Sequence, residues 1–336
     1  MLKEICEIPG VSGDEDKIRL FIKEQTCDYV DDLTEDVYGN LIVRKGKEKK
    51  PKILLAAHMD EVGMMIMNIE KNGLLKFKTI GLHPQSILAK RVIIGEKQIP
   101  GVIGHKPIHL SQQAERNKMP AVKELFIDIG ANSREEVEEL IQIGELATFD
   151  TKFHKDDDRI FGKAFDNRIG CYILIKLIQD TDLSAYFAFT VQEEVGLRGA
   201  RIIAYRVNPD VAIAVDTTGA NELPEKKDLP AYPILGNGPV LTVVDATIIC
   251  DRKIIKLFED TAKKHNIKYQ YKQPMIGGTD AGVIHITREG IPSAVLSTPA
   301  RYIHSPLSIA SIKDIKNAIK LLTLTIEEIL RGVKWN

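Results

Sequence analysis

Apolar residues in this chain gather into short continuous runs, and several of these runs stop abruptly at acids or histidines. Lys52–Ala57, Ala185–Val191, Val211–Val215 and Ala294–Ser297 have the length and composition of strands buried on both faces. Helical spacing fills the intervals: Asn167–Ile178 reads as an amphipathic helix, with further helices over Lys253–His265 and Ile312–Leu330. Near the start a short helix breaks at Pro9-Gly10. Ser12-Gly13-Asp14-Glu15 then has the form of a capping box ahead of Ile18, Phe21 and Ile22. Buried strands alternating with helices predict an α/β fold: a mostly parallel central sheet flanked by helices on both faces.

From about Asn68 the pattern changes. Short β-type runs (Leu74–Ile80, Arg91–Ile94, Gly101–Ile103, Leu125–Ile129) are separated by Gly and Pro turns, with one helix announced by Ser133-Arg134-Glu135-Glu136. This stretch reads as a small barrel or sandwich inserted into the larger fold. The expected partition is a discontinuous α/β domain over residues 1–67 and 159–336, with residues 68–158 as an inserted β-rich domain. A length of 336 residues suits two structural units.

Composition narrows the partners. Acids and bases nearly cancel, 47 against 46, so no polyanion-binding surface is expected and nucleic acid is a poor partner. Cys6, Cys27, Cys171 and Cys250 form no C-x-x-C pair and read as free thiols of a reducing compartment. The opening residues lack the apolar core of a signal peptide, and no window reaches the length of a membrane span. A cytoplasmic protein with no membrane partner is expected.

Candidate chemistry collects where the apolar runs end. His58 follows Ile53–Ala57, Glu193 and Glu194 follow Tyr186–Val191, and Asp216 follows Val211–Val215. His304 follows Ala294–Leu296 by a short loop, and Asp166 immediately precedes a helix. In an open α/β sheet, ligands bind beyond the carboxyl ends of the strands, so these residues can converge on one crevice. Imidazoles and carboxylates are ligands for divalent cations, and one of the adjacent glutamates would remain free for proton transfer.

The individual motifs admit more than one use. On an extended segment His58 and Asp60 share a face, so the Asp60 carboxylate can fix the imidazole tautomer that binds metal. Adjacent Glu193 and Glu194 point apart, which suits a division of labour better than chelation of one ion. Asp166-Asn167 also suits a helix N-cap, and Asp216 a turn. His83, His105, His109, His154, His265 and His285 have no comparable partners. Gly277-Gly278-Thr279-Asp280 lacks the lysine of a P-loop. It reads as a tight backbone approach to the cleft, with Asp280 as a helix cap.

Taken together, several segments resemble the M42 family of metallo-aminopeptidases: Ala57–Gly63, Lys163–Arg168, Val191–Ala200, Ala214–Asp216 and Arg301–Pro306. The likeness extends to Pro100–Gly104, Lys106–Leu110, Gly278–Gly282 and Thr287–Pro292, and so covers nearly the whole chain. The resemblance implies that His58 and Asp216 hold one metal and Glu194 and His304 the other, with Asp166 bridging. It makes Glu193 the general base and Asp60 the orienting carboxylate. It further implies two zinc or cobalt ions per subunit, peptide substrates, and an insert that is a PDZ-like dimerisation domain. Dimers of that family build a hollow tetrahedral dodecamer. Thr217–Lys227 departs from the acidic-Thr-Pro-Gly turn common in the family, so no subfamily's specificity carries over.

Other readings are a related dinuclear carboxypeptidase or deacylase, an endoglucanase-type glycoside hydrolase, and a non-catalytic assembly protein that retains the site. Adjacent carboxylates are poorly placed to flank a sugar bond. A single tryptophan also leaves little for an aromatic sugar platform.

Overall fold

A computed structural model describes residues 1–48, 50–110, 119–222, 233–273 and 276–332. Three strands open the main sheet: β1 (Asp32–Glu35), β2 (Leu41–Lys45) and β3 (Ile53–His58). The chain then leaves it for β4 (Gly63–Ile69), β5 (Leu75–Ile80), β6 (Arg91–Ile94), β7 (Ile99–Gly104), β8 (Phe126–Asp128) and β9 (Leu146–Phe149). It returns with β10 (His154–Asp156), β11 (Arg159–Gly162), β12 (Ala185–Thr190) and β13 (Val211–Gly219). The last strands are β14 (Val240–Thr242), β15 (Gln270–Tyr271), β16 (Ser293–Arg301) and β17 (Ser308–Ser311).

The main sheet has 11 strands, nine of them in the order β1-β2-β12-β3-β13-β16-β17-β11-β10, with β14 and β15 attached beside β16. It is mixed, which corrects the expectation of a mostly parallel sheet. Only β12, β3, β13 and β16 run parallel to their neighbours along this path; β1 and β2 on one side and β17, β11 and β10 on the other pair antiparallel. The parallel strands are the continuous apolar runs because they are covered on both faces. Ile53, Leu55 and Ala57 of β3 enter one core, while Leu54 and Ala56 enter the other. The outer strands carry exposed positions such as Asp32 and Glu35, and their polar character hid them from a search for apolar runs.

On the larger core's face the helix Phe165–Asp180 packs against β3 and β13 and under the helices Leu2–Glu7 and Ile312–Leu330. Covered on both sides, it buries residues nearly all round (Ile169, Leu174, Ile175 and Ile178 among them) and is not the amphipathic helix its sequence suggested. At the other face lie the helices Arg198–Val207 and Ala281–Ile284.

Strands β4-β5-β8-β7-β6-β9 close into a barrel with its own core of Met64, Ile66, Leu75, Phe77, Val92, Ile94, Ile127 and Phe149. Here alternation is legible: Leu75 and Phe77 point in, and Lys78 points out. The helix Arg134–Glu138 is capped as expected, the Glu136 N–H donating to Ser133 Oγ at 3.3 Å. The Ser12–Glu15 capping box does not form. Its helix begins at Asp16, because Ser12 Oγ donates to Asp60 (2.6 Å) and Glu15 accepts from the Gly13 and Gln192 N–H groups (2.9 and 3.1 Å).

The four cysteines are free, with Cys6, Cys171 and Cys250 buried and Cys27 exposed. Among the described residues no helix is long and apolar enough to cross a membrane.

Candidate metal centre and active site

The parallel strands deliver the site at their carboxyl ends. His58 is the last residue of β3, and Asp216 lies within β13, which runs four residues further than its apolar run suggested. Glu193 and Glu194 follow β12 on a turn whose backbone is left-handed at Gln192 (φ 56°). Strand β16 extends to Arg301, and His304, itself left-handed (φ 56°), follows directly from its terminal turn. Left-handed backbone at such residues costs energy that the surrounding packing must offset, and it re-aims the side chains into the cleft.

Asp166 and Asn167 precede the regular helix with non-helical backbone (φ −85°, ψ 104° and φ −126°, ψ 42°). Asn167 does the capping: its Oδ1 accepts from the Gly170 N–H (3.1 Å) and its Nδ2 donates to the Val215 carbonyl (2.9 Å). Gly170 is required there, since a Cβ would lie 2.5 Å from that same carbonyl oxygen. Asp166 is thereby left to line the cavity.

The predicted residues meet in two groups. His58, Glu193 and Asp216 each offer a donor atom within 4.8 Å of the others, as do Asp166, Glu194 and His304. His58 Nε2 lies 3.7 Å from Asp216 Oδ1 and 4.0 Å from Glu193 Oε2, and His304 Nε2 lies 3.6 Å from Glu194 Oε2. Asp166 stands between the groups, with Oδ1 3.2 Å from His58 Nε2 and Oδ2 3.3 Å from His304 Nε2. No other histidine joins either group among the described residues.

Both imidazoles are oriented by carbonyls. His58 Nδ1 lies 3.2 Å from the Asp60 carbonyl oxygen and His304 Nδ1 lies 3.1 Å from that of Gly81. Donation through Nδ1 leaves each Nε2 facing the carboxylates, the arrangement a metal ligand needs. Gly81 comes from the end of β5, so the barrel helps to hold the site; sequence reading gave it no role.

The electrostatics fit divalent cations. Burial, reinforced by the neighbouring Asp166 charge, pushes Glu194 up to about 8 and Asp216 up to about 7. Burial also drives Glu193 well above the ordinary carboxylate range. His304 is pulled down by burial, but its contacts with Asp166 and Glu194 win and carry it up to about 9. Without a counter-ion the acids therefore hold protons that cations would displace. Among the described residues, Glu194 Oε1 is buried without a hydrogen-bond partner, which suits an oxygen that would hold a cation.

Asp60 is wholly buried, and its main work is on the glutamate turn. Oδ1 accepts from the Glu193 N–H (3.0 Å), and Oδ2 accepts from the Glu194 N–H (3.1 Å) and Ser12 Oγ (2.6 Å). Its carboxylate is 3.5 Å from His58 Nδ1, further than its own carbonyl. Beneath the site Lys163 Nζ donates to both Glu61 oxygens (2.6 and 2.7 Å), tying the segment after His58 to the segment before Asp166. Sequence reading gave this buried pair no role. The only cue was their position inside the two ligand motifs.

Asp280 is not a side-chain cap: it makes no capping bond and instead accepts from Thr190 Oγ1 at 2.5 Å. Gly278 does make a tight approach, but to Thr247, whose Cγ2 would lie 2.5 Å from an added Cβ. Of the divergent Thr217–Lys227 segment, Thr217 to Gly219 belong to β13, and residues 223–227 lie outside the described residues.

A crevice at the ends of parallel strands, lined by histidines and carboxylates in two donor groups that could each hold a metal ion, suits a metal-dependent hydrolase. The sequence profile of the M42 glutamyl aminopeptidase family matches residues 39–321. The chain belongs to that family, and it is an aminopeptidase. It is 36% identical over 342 residues to the lysyl aminopeptidase of Pyrococcus furiosus, covering 98% of this chain and 96% of that one. Among solved structures, aminopeptidase APDkam598 from Desulfurococcus kamchatkensis superposes with a TM-score of 0.92 at 36% identity, covering 100% of this chain and 98% of the other. The TET1 peptidase of Pyrococcus horikoshii, which can assemble into a tetrahedron or a large octahedral shell, gives 0.86 at 35% identity, with coverage of 96% and 97%.

Proposed function

We propose that this aminopeptidase works with two divalent cations, zinc or cobalt, and releases N-terminal residues from peptides. The observation that carries the reading is Asp166, which turns one carboxylate oxygen towards each of two imidazoles. His58 and Asp216 would hold one cation and Glu194 and His304 the other, with Asp166 shared. When bound, such a pair lowers the pKa of water and polarises the scissile carbonyl.

Glu193 is the general base. Its main-chain N–H is fixed on Asp60 and its carboxylate oxygen lies 4.0 Å from His58 Nε2, so it faces the reacting region. It takes a proton from the attacking water and hands it to the leaving amine. Asp60 positions the turn that carries it.

The barrel, strands β4 to β9 (Gly63–Phe149), is read as an inserted PDZ-like dimerisation domain, a few residues earlier at both ends than the 68–158 expected from the sequence, since β10 (His154–Asp156) belongs to the main sheet. Dimers would assemble into a tetrahedral dodecamer in the cytoplasm; the TET1 relative, which can assemble into a tetrahedron, supports the assembly. Light scattering on the purified protein measures that mass.

The test of the chemistry is Glu193→Gln. The variant is expected to keep two metal equivalents by elemental analysis while kcat falls by about 10²- to 10⁴-fold. Loss of a metal equivalent would make Glu193 a ligand, which its place in the first donor group also permits.

A further inference from the structure

The turn that carries Glu193 is held at its entry by side chains. Four successive N–H groups donate to side-chain oxygens from three other segments. Val191 donates to Asn40 Oδ1 (3.1 Å), Gln192 to Glu15 Oε1 (3.1 Å), Glu193 to Asp60 Oδ1 (3.0 Å) and Glu194 to Asp60 Oδ2 (3.1 Å). Asn40 is the outsider among these acceptors. It comes from the outer part of the main sheet and lines no part of the active-site cavity.

Asn40 stands where the ladder between β2 and β12 ends. Leu41, opposite Phe189, is the last pair in register. Just before it the chain turns through Asp36–Gly39, so a side-chain oxygen and not a strand carbonyl meets the Val191 N–H. The amide is wholly buried and bears on both feet of the glutamate turn. The Val191 carbonyl accepts from the Gly199 N–H (3.0 Å), and a Cβ at Gly199 would lie 2.2 Å from Asn40 Oδ1.

Asp36 decides which end of that amide faces the turn. A carboxylate only accepts: its Oδ2 takes the Asn40 Nδ2 hydrogen (2.8 Å), and its Oδ1 takes the N–H groups of Tyr38 and Asn40 (both 2.9 Å). With Nδ2 committed to Asp36, Oδ1 is left for Val191. The next residue, Gln192, is left-handed (φ 56°), a conformation that the surroundings must enforce. Once Val191 is released, that residue can relax and carry Glu193 off its line.

We infer that Asp36 and Asn40 are positioning residues for the reaction: through the main chain of Val191 they aim Glu193 from the outer side of the sheet. Neither enters a donor group of the metal centre. The inference rests on the reading of Glu193 as the general base and adds the device that points it.

The test is a double-mutant cycle on the metal-loaded enzyme. It uses whichever of the glutamate, leucine and lysine p-nitroanilides the wild type cleaves best, with metal content and thermal melts measured alongside. In Asp36→Asn the new NH₂ meets that of Asn40, so the Asn40 amide turns over and presents a donor to the Val191 N–H. Asn40→Asp sets two carboxylates against each other. Each single variant is expected to lose about 10- to 100-fold in kcat while keeping its KM and both metal equivalents. Asp36→Asn/Asn40→Asp exchanges the pair. The introduced amide then donates to the introduced carboxylate, whose other oxygen accepts from Val191, and most of kcat should return. If Asn40→Asp does not fold, comparing Asp36→Asn with the exchanged pair suffices.

A merely structural pair would lower the melting temperature of the single variants and leave kcat unchanged below the melt, which overturns the inference. So does a double variant as slow as the two losses combined, or a loss that tracks missing metal. Glu193→Gln, run beside them, separates the two readings. Wild-type kcat in that variant removes the base assignment and this inference with it. An inactive Glu193→Gln beside fully active Asp36→Asn and Asn40→Asp refutes the positioning alone.

Discussion

Replacing Asp60 by asparagine separates two roles that its position allows. The carboxylate accepts three hydrogen bonds, from Ser12 Oγ and from the N–H groups of Glu193 and Glu194. Asparagine keeps the shape but has one acceptor oxygen. If that oxygen stays with Ser12 and Glu194, its amide NH₂ faces the Glu193 N–H, donor against donor. One charge-assisted bond is lost and its donor is left without a partner, about 1.5–3 kcal/mol. The turn can relieve the conflict by moving Glu193, and a displacement of about 1 Å at a reacting group costs on the order of 10²-fold in rate. Asp60→Asn is therefore expected to melt several degrees earlier and to lose about 10²-fold in kcat at saturating substrate. Elemental analysis should still find both metal equivalents, because His58 Nδ1 keeps its partner, the Asp60 carbonyl. Wild-type kcat would refute the positioning of Glu193. So would an activity loss fully reversed by excess metal, which would return Asp60 to the task of orienting His58.

Three further expectations follow from contacts elsewhere in the site's frame. His304→Ala should remove about one of two metal equivalents, since His304 is the sole imidazole of its donor group; unchanged stoichiometry would dismiss it as a ligand. Lys163→Met leaves the buried Glu61 carboxylate without its close cation, a loss of about 3–5 kcal/mol that Glu61→Gln in the same chain should largely recover. Equal thermal melts of wild type and single variant would contradict this. Glu15, raised by burial from 4.5 to about 7, binds its proton more tightly folded than unfolded. Its contribution is thus complete below pH 4.5 and is lost as pH rises towards 7, by about 3 kcal/mol at most. Glu15→Gln should therefore gain in melting temperature on wild type between pH 5 and 8, and a constant difference across that range would rule out this ionisation.

The candidate ligands were legible because all but Asp166, which opens a helix, lie at or just beyond the end of a strand covered on both faces. A continuous apolar run fixes the strand, the fold class places its carboxyl end at the crevice, and the next polar residue is then a candidate. The outer strands β1, β10 and β11 gave no such signal, as they are only three or four residues long and carry polar residues, and they owe their place to pairing, β1 with β2, β11 with β17 and β10 with β11. Missing them turned a mixed sheet into a mostly parallel one.

What holds the site in register was hidden for a different reason. Ser12 and Glu15 have the spacing of a capping box, and nothing local distinguishes a serine that caps a helix from one that reaches a carboxylate 48 positions away. Glu15 meets the Gln192 N–H across 177 positions, and Glu61 meets Lys163 across 102. Asp166 and Asn167 were equal candidates for a cap until the Val215 carbonyl, delivered by β13, drew the Asn167 amide and settled which of them remained free. The chemistry of a ligand is thus written in its own residue type and in the run before it. Its aim is written in partners that only the folded chain brings near. That asymmetry makes Asp60 the sharper probe of this site: altering a ligand asks only whether the metal is held, whereas altering Asp60 asks whether the fold points the base.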